Sequence, residues 1–195
     1  MLTYVATQNA GKLAEMEAVF ASSPLQLRAY PGYRAVEEGA KSYLENALIK
    51  ARALHAELLA SGIVANVIAD DSGMEIDALD GRPGVLSARY GGETATWAQR
   101  IALLLNELRD VPYGLRTARF VSVISFRTAS GDEFHGVGEI HGHIAESAFG
   151  GSGFGYDPIF VPLGQQRTFA EFAFAEKNAR SHRRKAADAL LGAMR

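Results

Sequence analysis

Five stretches of the chain hold residue types that do chemistry together. In Thr7-Gln8-Asn9-Ala10-Gly11-Lys12, an apolar run breaks into a polar loop with a glycine and then into helical spacing. Helix N-termini present N–H groups and a positive dipole end to anions, so this loop could cradle phosphates, with Lys12 adding a charge. It lacks the longer loop of a Walker motif, and an ordinary turn capped by Asn9 fits the same residues. Ala69-Asp70-Asp71-Ser72-Gly73 puts two adjacent carboxylates after an apolar run. Adjacent acids repel, which is tolerable if a hard cation lies between them and phosphate oxygens, and one could take a proton from water. An Asp-rich turn is the bland alternative. Glu37-Glu38-Gly39 is a second acidic pair that could complete a magnesium site or merely precede a helix.

The fourth stretch, Gly150 to Asp157, is glycine-dense around Phe154 and Tyr156. Glycines let backbone approach a ligand closely, and an aromatic on such a loop can stack on a base for about 1–3 kcal/mol. The fifth, Glu176-Lys177-Asn178 with Ser181-His182-Arg183, gathers donors suited to base carbonyls or phosphate. Together they describe a nucleotide site: a phosphate cradle, an acidic metal site, a stacking aromatic and base-edge donors. His55, His135, His141 and His143 show no partner pattern and read as structural or surface residues.

These stretches need elements to position them. Leu2–Ala6 and Leu25–Tyr30 read as strands, and Lys12–Phe20 as an amphipathic helix. Ser42 to Ala60 is the best helix, with a Ser42/Glu45 capping box and a stripe of Leu44, Ala47, Leu48, Ala51, Leu54 and Leu58. A buried strand over 63–69 ends on the Asp pair, and 74–79 continues as strand or turn. Val85–Tyr90 reads as a short helix and Thr96–Leu108 as a clear one. The β-rich runs 118–127 and 133–144 are joined as a hairpin by Ser130-Gly131-Asp132. A short strand over 159–161 and a helix over 181–191, capped by Ser181, close the chain. The mixed order favours an α/β fold with a long mixed sheet.

Composition narrows the function. The 195 residues suit one domain or two lobes sharing a sheet, and 48% hydrophobic residues can build a core. Without cysteine there are no disulfides or thiolate metal sites. A net charge of −2 is too balanced for a general nucleic-acid binder. No run is long and apolar enough for a membrane span or reads as a signal peptide, so a cytoplasmic protein without nucleic-acid or membrane partners is expected.

Six ordered motifs carry a resemblance over essentially the whole chain. They are Thr7-x-Asn9-x-x-Lys12; Glu45-Asn46-Ala47 with Lys50-Ala51; Asp70-Asp71-Ser72-Gly73; Gly81-x-Pro83-Gly84 with Ser87-Ala88-Arg89-Tyr90; Gly153-Phe154-Gly155-Tyr156-Asp157-Pro158; and Glu176-Lys177-Asn178 with Ser181-His182-Arg183. The sequence resembles the inosine/xanthosine triphosphate pyrophosphatase family. The resemblance implies one domain over 1–195, an elongated two-lobed α/β structure around a long mixed sheet, a site in the cleft, and a homodimer. It implies Mg²⁺-dependent hydrolysis of ITP, dITP and XTP at the α-phosphate, releasing pyrophosphate. Thr7, Gln8, Asn9, Ala10, Gly11 and Lys12 would hold phosphates. Asp71 would be the catalytic carboxylate and touch the metal, and Ser72 would contact substrate. Phe154 would stack on the purine within the loop continuing through Gly155, Tyr156 and Asp157. Lys177, His182 and Arg183 would read the base edge. Family members usually carry Glu-Thr-Gly before Thr-Phe, whereas this chain has Glu38-Gly39-Ala40-Lys41-Ser42-Tyr43. The spacing to Glu45 selects Glu38 as the metal ligand, with Glu37 the alternative. A pyrophosphatase for pyrimidine or modified nucleotides and a nucleotide sensor without turnover are the rival readings.

Overall fold

The computed structural model describes residues 1–36, 39 and 42–195. Six strands form one sheet in the order β2-β1-β3-β4-β5-β6. They are β1 Leu2–Val5, β2 Gln26–Ala29, β3 Asn66–Ile76, β4 Thr117–Arg127, β5 Glu133–Ile144 and β6 Phe160–Pro162. β1 runs parallel to β2 and β3, while β5 and β6 are antiparallel, so the sheet is mixed. The helices are α1 Ala10–Phe20, α2 Tyr43–Ala60, α3 Trp97–Glu107, α4 Phe174–Asn178 and α5 His182–Ala193. The expected α/β class and mixed sheet are present.

Local chemistry explains most of these boundaries. Asn9 caps α1, Ser42 caps α2, and Ser181 caps α5. Thr96 and Gln99 form a reciprocal capping box on α3. The stretch Val85–Tyr90 differs from its expected helix: only Gly84–Leu86 makes a short 3-10 turn. Ser87 turns back there, donating to the Gly84 carbonyl at 2.7 Å and accepting from Met74 N–H at 2.9 Å. The larger difference lies in β3. It does not stop at the Asp pair but runs eleven residues through Asp70-Asp71-Ser72-Gly73.

The chain divides into two compact units, 1–71 with 122–138 and 181–195, and 72–121 with 139–180. In the first unit, Val5, Ile68, Ile124 and Phe126 pack with Met16, Phe20, Ala187 and Leu190 of α1 and α5. Another cluster joins Ala6, Val67 and Ala69 to Leu54 and Leu58 of α2. The alternation along β3 is the reason: Ile68 faces α1 and α5, while Val67 and Ala69 face α2. In the second unit, Met74, Ile76, Phe120 and Ile140 pack with Leu104 of α3 and with Phe160, Phe169 and Phe172. Among the described residues, no helix is long and apolar enough to cross a membrane.

Candidate active site

The same alternation separates the two aspartates. Asp70 follows Ile68 onto the α1/α5 face and Asp71 follows Ala69 onto the α2 face. The expected mutual repulsion therefore does not need a cation between them, because each carboxylate meets its own.

Asp70 is buried beside two cations. Lys12 Nζ lies 2.9 Å from Oδ2, and Arg183 Nη2 lies 3.3 Å from the same oxygen. Ser122 Oγ donates to Oδ1 at 2.5 Å. Burial pushes this carboxyl up, but Arg183 and Lys12 outweigh burial and hold it well below the usual carboxylate range. Arg183 also donates from Nη1 to Glu15 Oε2 at 2.5 Å, and both side chains are 2% exposed. Burial pulls the Lys12 ammonium down and Asp70 opposes that; the net direction is downward.

Asp71 is held from α2. Asn46 Nδ2 donates to Oδ2 at 3.1 Å and Lys50 Nζ to Oδ1 at 3.0 Å. Lys50 also donates to the Asp70 carbonyl at 3.0 Å, so one ammonium ties the backbone and the carboxylate together. A carboxylate oriented at both oxygens can accept a proton from water or bind a hard cation. Ser72, the next residue of β3, is half-buried.

The loop before α1 is a true helix start. Asn9 Oδ1 accepts from Lys12 N–H at 3.0 Å, and Thr7 Oγ1 accepts from Asn9 N–H at 3.1 Å. Gln8, Asn9 and Ala10 are exposed, and Gly11 is partly so. The cap expected of Asn9 and a surface open to a ligand thus coexist.

In the second unit, Phe154 is half-buried, and its N–H donates to Asp157 Oδ2 at 2.8 Å. Lys177 pairs with that same oxygen, its Nζ 5.1 Å from the Phe154 ring centroid. Tyr156 is buried edge-on to Trp97 with centroids 5.3 Å apart, and its hydroxyl donates to the Ser87 carbonyl at 3.0 Å. Its side chain is thus a core element, and Gly155, at φ +65°, is the link that lets the chain turn beside it. A separate open cavity of about 620 Å³, lined by residues including Tyr113, Glu146, Phe149 and Glu171, contains none of the expected site residues.

His182 and Arg183, expected at the base edge, are both buried at the start of α5. Arg183 is engaged with Glu15 and Asp70, so any contact with a base must compete with those carboxylates. Glu38 and its alternative Glu37 lie outside the described residues. Among the described residues, no group of three or more His, Asp or Glu side chains is placed to hold a metal. Asp71 carries hard oxygen donors of the kind magnesium takes, one or two carboxylates together with substrate phosphates.

Four further residues complete the centre: Glu15, Asn46, Lys50 and Ser122. Their signal was polarity on a buried face. Asn46 and Lys50, four residues apart, interrupt the apolar face of α2, and Glu15 sits beside Met16 on that of α1. Such positions hold polar side chains when a buried partner awaits them.

A mixed sheet whose third strand bears two opposed carboxylates, each matched to cations from flanking helices, defines an α/β protein with a buried charged centre. The chain belongs to the Ham1 family, whose family model matches residues 3–193. It is 45% identical to the dITP/XTP pyrophosphatase of Geobacter sulfurreducens, over 93% of this chain and 90% of that one. It is 44% identical to the dITP/XTP pyrophosphatase of Mycobacteroides abscessus, over 100% and 95%. Among solved structures it resembles a HAM1 protein from Coxiella burnetii with a TM-score of 0.85 and 36% identity, covering 100% and 98% of the two chains. The Staphylococcus aureus Ham1 protein gives a TM-score of 0.83 at 34% identity, covering 98% and 97%.

Proposed function

We propose that the protein hydrolyses non-canonical purine nucleoside triphosphates, ITP, dITP and XTP, to the monophosphate and pyrophosphate. The observation that carries this is Asp71, oriented by Asn46 and Lys50, in a chain whose relatives are named dITP/XTP pyrophosphatases. The loop Thr7–Lys12 binds the phosphate tail. Asp71 accepts a proton from the attacking water. The water oxygen bonds to the α-phosphorus, the bond to the bridging oxygen breaks, and pyrophosphate leaves with the electron pair. Ser72 contacts the substrate beside Asp71. Asp71, with Glu38 or its neighbour Glu37, would hold Mg²⁺, which would supply charge neutralisation of the phosphates.

Phe154 stacks on the purine, and Arg183 and His182 read its edge. Arg183 reaches a base by releasing part of its pairing with Glu15 and Asp70. A 6-oxo group returns an acceptor for the one released, whereas the 6-amino group of adenine does not. That exchange favours deaminated purines. The functional domain is the whole of 1–195, acting as a cytoplasmic homodimer on free nucleotides.

Turnover of a panel of purine and pyrimidine triphosphates, followed by pyrophosphate release, tests the reading. Preference for dITP, ITP and XTP over dATP and the pyrimidines is expected. Equal turnover of dATP, or preference for a pyrimidine, overturns it.

A further inference from the structure

The loop bearing Phe154 is organised around one carboxylate. Asp157 is 2% exposed and Lys177 3%. A single oxygen, Asp157 Oδ2, accepts the Phe154 N–H at 2.8 Å and pairs with the Lys177 ammonium. That ammonium lies 5.1 Å from the Phe154 ring centroid and 5.5 Å from that of Phe169. The approach is too close for any side chain at position 153: a Cβ there would lie 2.1 Å from Asp157 Oδ2, and Gly153 has φ +76°. Backbone, ring and cation are thus referred to one buried atom.

We propose that Asp157 is a positioning residue for base binding, acting through Phe154 and Lys177 rather than by touching substrate. This rests on the reading of Phe154 as the stacking residue. By taking the Phe154 N–H it sets the chain direction from which the ring projects. By pairing with Lys177 it keeps a cation beside the ring and compensates that cation's burial. A ring held in place before binding loses less freedom when a base stacks on it, so the benefit appears in affinity for the base and not for the phosphates.

The test compares two ligands that differ in having a base. Equilibrium binding of dITP and of inorganic tripolyphosphate is measured by calorimetry in excess chelator, where turnover is not required. Asp157→Asn keeps an acceptor for the Phe154 N–H but removes the charge that holds Lys177. It is expected to weaken dITP at least tenfold while tripolyphosphate changes less than twofold. On a Phe154→Leu background, the same change is expected to add less than twofold to the loss for dITP, because its route to the base is already gone. If Asp157→Asn does not fold, Asp157→Asn/Lys177→Met leaves neither charge alone and carries the same comparison. Equal weakening of both ligands, no weakening of either, or full additivity with Phe154→Leu overturns the proposal. Failure of the wild-type protein to hydrolyse dITP counts against the proposed function instead, and leaves the binding comparison to decide the role of Asp157.

Discussion

At the scale of single residues, the two neighbouring carboxylates of β3 meet different partners on opposite faces of the strand. Asp70 is enclosed by Lys12, Arg183 and Ser122, whereas Asp71 is oriented by Asn46 and Lys50 on the opposite face of β3. Asp71→Asn keeps the shape but removes basicity and charge. It is expected to abolish dITP hydrolysis with the far-ultraviolet dichroism unchanged; wild-type turnover in the purified variant would remove Asp71 from the mechanism. Arg183→Ala acts differently, because it takes a guanidinium away from two buried carboxylates. Breaking a buried pair by removing one partner costs about 3–5 kcal/mol. Denaturant unfolding should show a loss of that order, and an unchanged midpoint would mean the cluster contributes no stability.

At the scale of elements, close approach between β5 and α5 sets where the start of α5 lies. A Cβ on Gly138 would fall 2.2 Å from both Ala186 N and the His182 carbonyl oxygen, atoms of a helix backbone that cannot swing aside. Gly138→Ala should therefore force strand and helix apart and cost about 1–3 kcal/mol in thermal unfolding. Gly192→Ala, on the same helix with nothing within 4 Å of its Cβ, is the control. It should leave stability equal or raise it by about 0.5–1 kcal/mol, since alanine is the better helix former. If both variants melt alike, the packing argument fails. The β4–β5 hairpin is tied to α2 by Glu133, which Arg52 grips with Nε at 2.7 Å and Nη2 at 2.6 Å, and which Arg127 also binds. The hydrogen bonds from Arg52, aided by Arg127 and opposed by burial, bring its pKa from 4.5 to about 2. A depressed carboxylate stabilises the fold above its unfolded pKa and loses that contribution as pH falls through the folded value. Stability should thus decline between about pH 4.5 and pH 2, and less steeply in Glu133→Gln. Parallel pH profiles for the two proteins would contradict the linkage.

At the scale of the whole molecule, activity is expected to depend on a divalent ion, because hydrolysis of a triphosphate gathers negative charge and Lys12 and Lys50 are already paired with Asp70 and Asp71. Exhaustive chelation should stop turnover and excess magnesium restore it; full activity in chelator would refute the metal requirement. Much of this molecule could be read directly from the chain. The helices capped by Asn9, Ser42 and Ser181, the helix from Thr96 and the hairpin strands β4 and β5 follow from local rules, because a cap or an alternating pattern acts over a few residues. The motifs that carry the family resemblance were legible for a related reason: their residues are concentrated in neighbouring positions, as in Phe154 to Asp157. Partnerships across the chain were not. The sequence by itself determined that Asp70 and Asp71 would be adjacent, and adjacency suggested either a shared cation at a strand end or an Asp-rich turn. Only the tertiary structure decided that β3 runs on through them, past its pairing with β1 at Asn66–Ile68 and beside β4. A continued strand turns successive side chains to opposite faces. That geometry sends Asp70 to Arg183, 113 residues away, and Asp71 to Lys50, 21 residues away. No local pattern encodes either distance, since a buried charge finds its partner through packing and not through spacing.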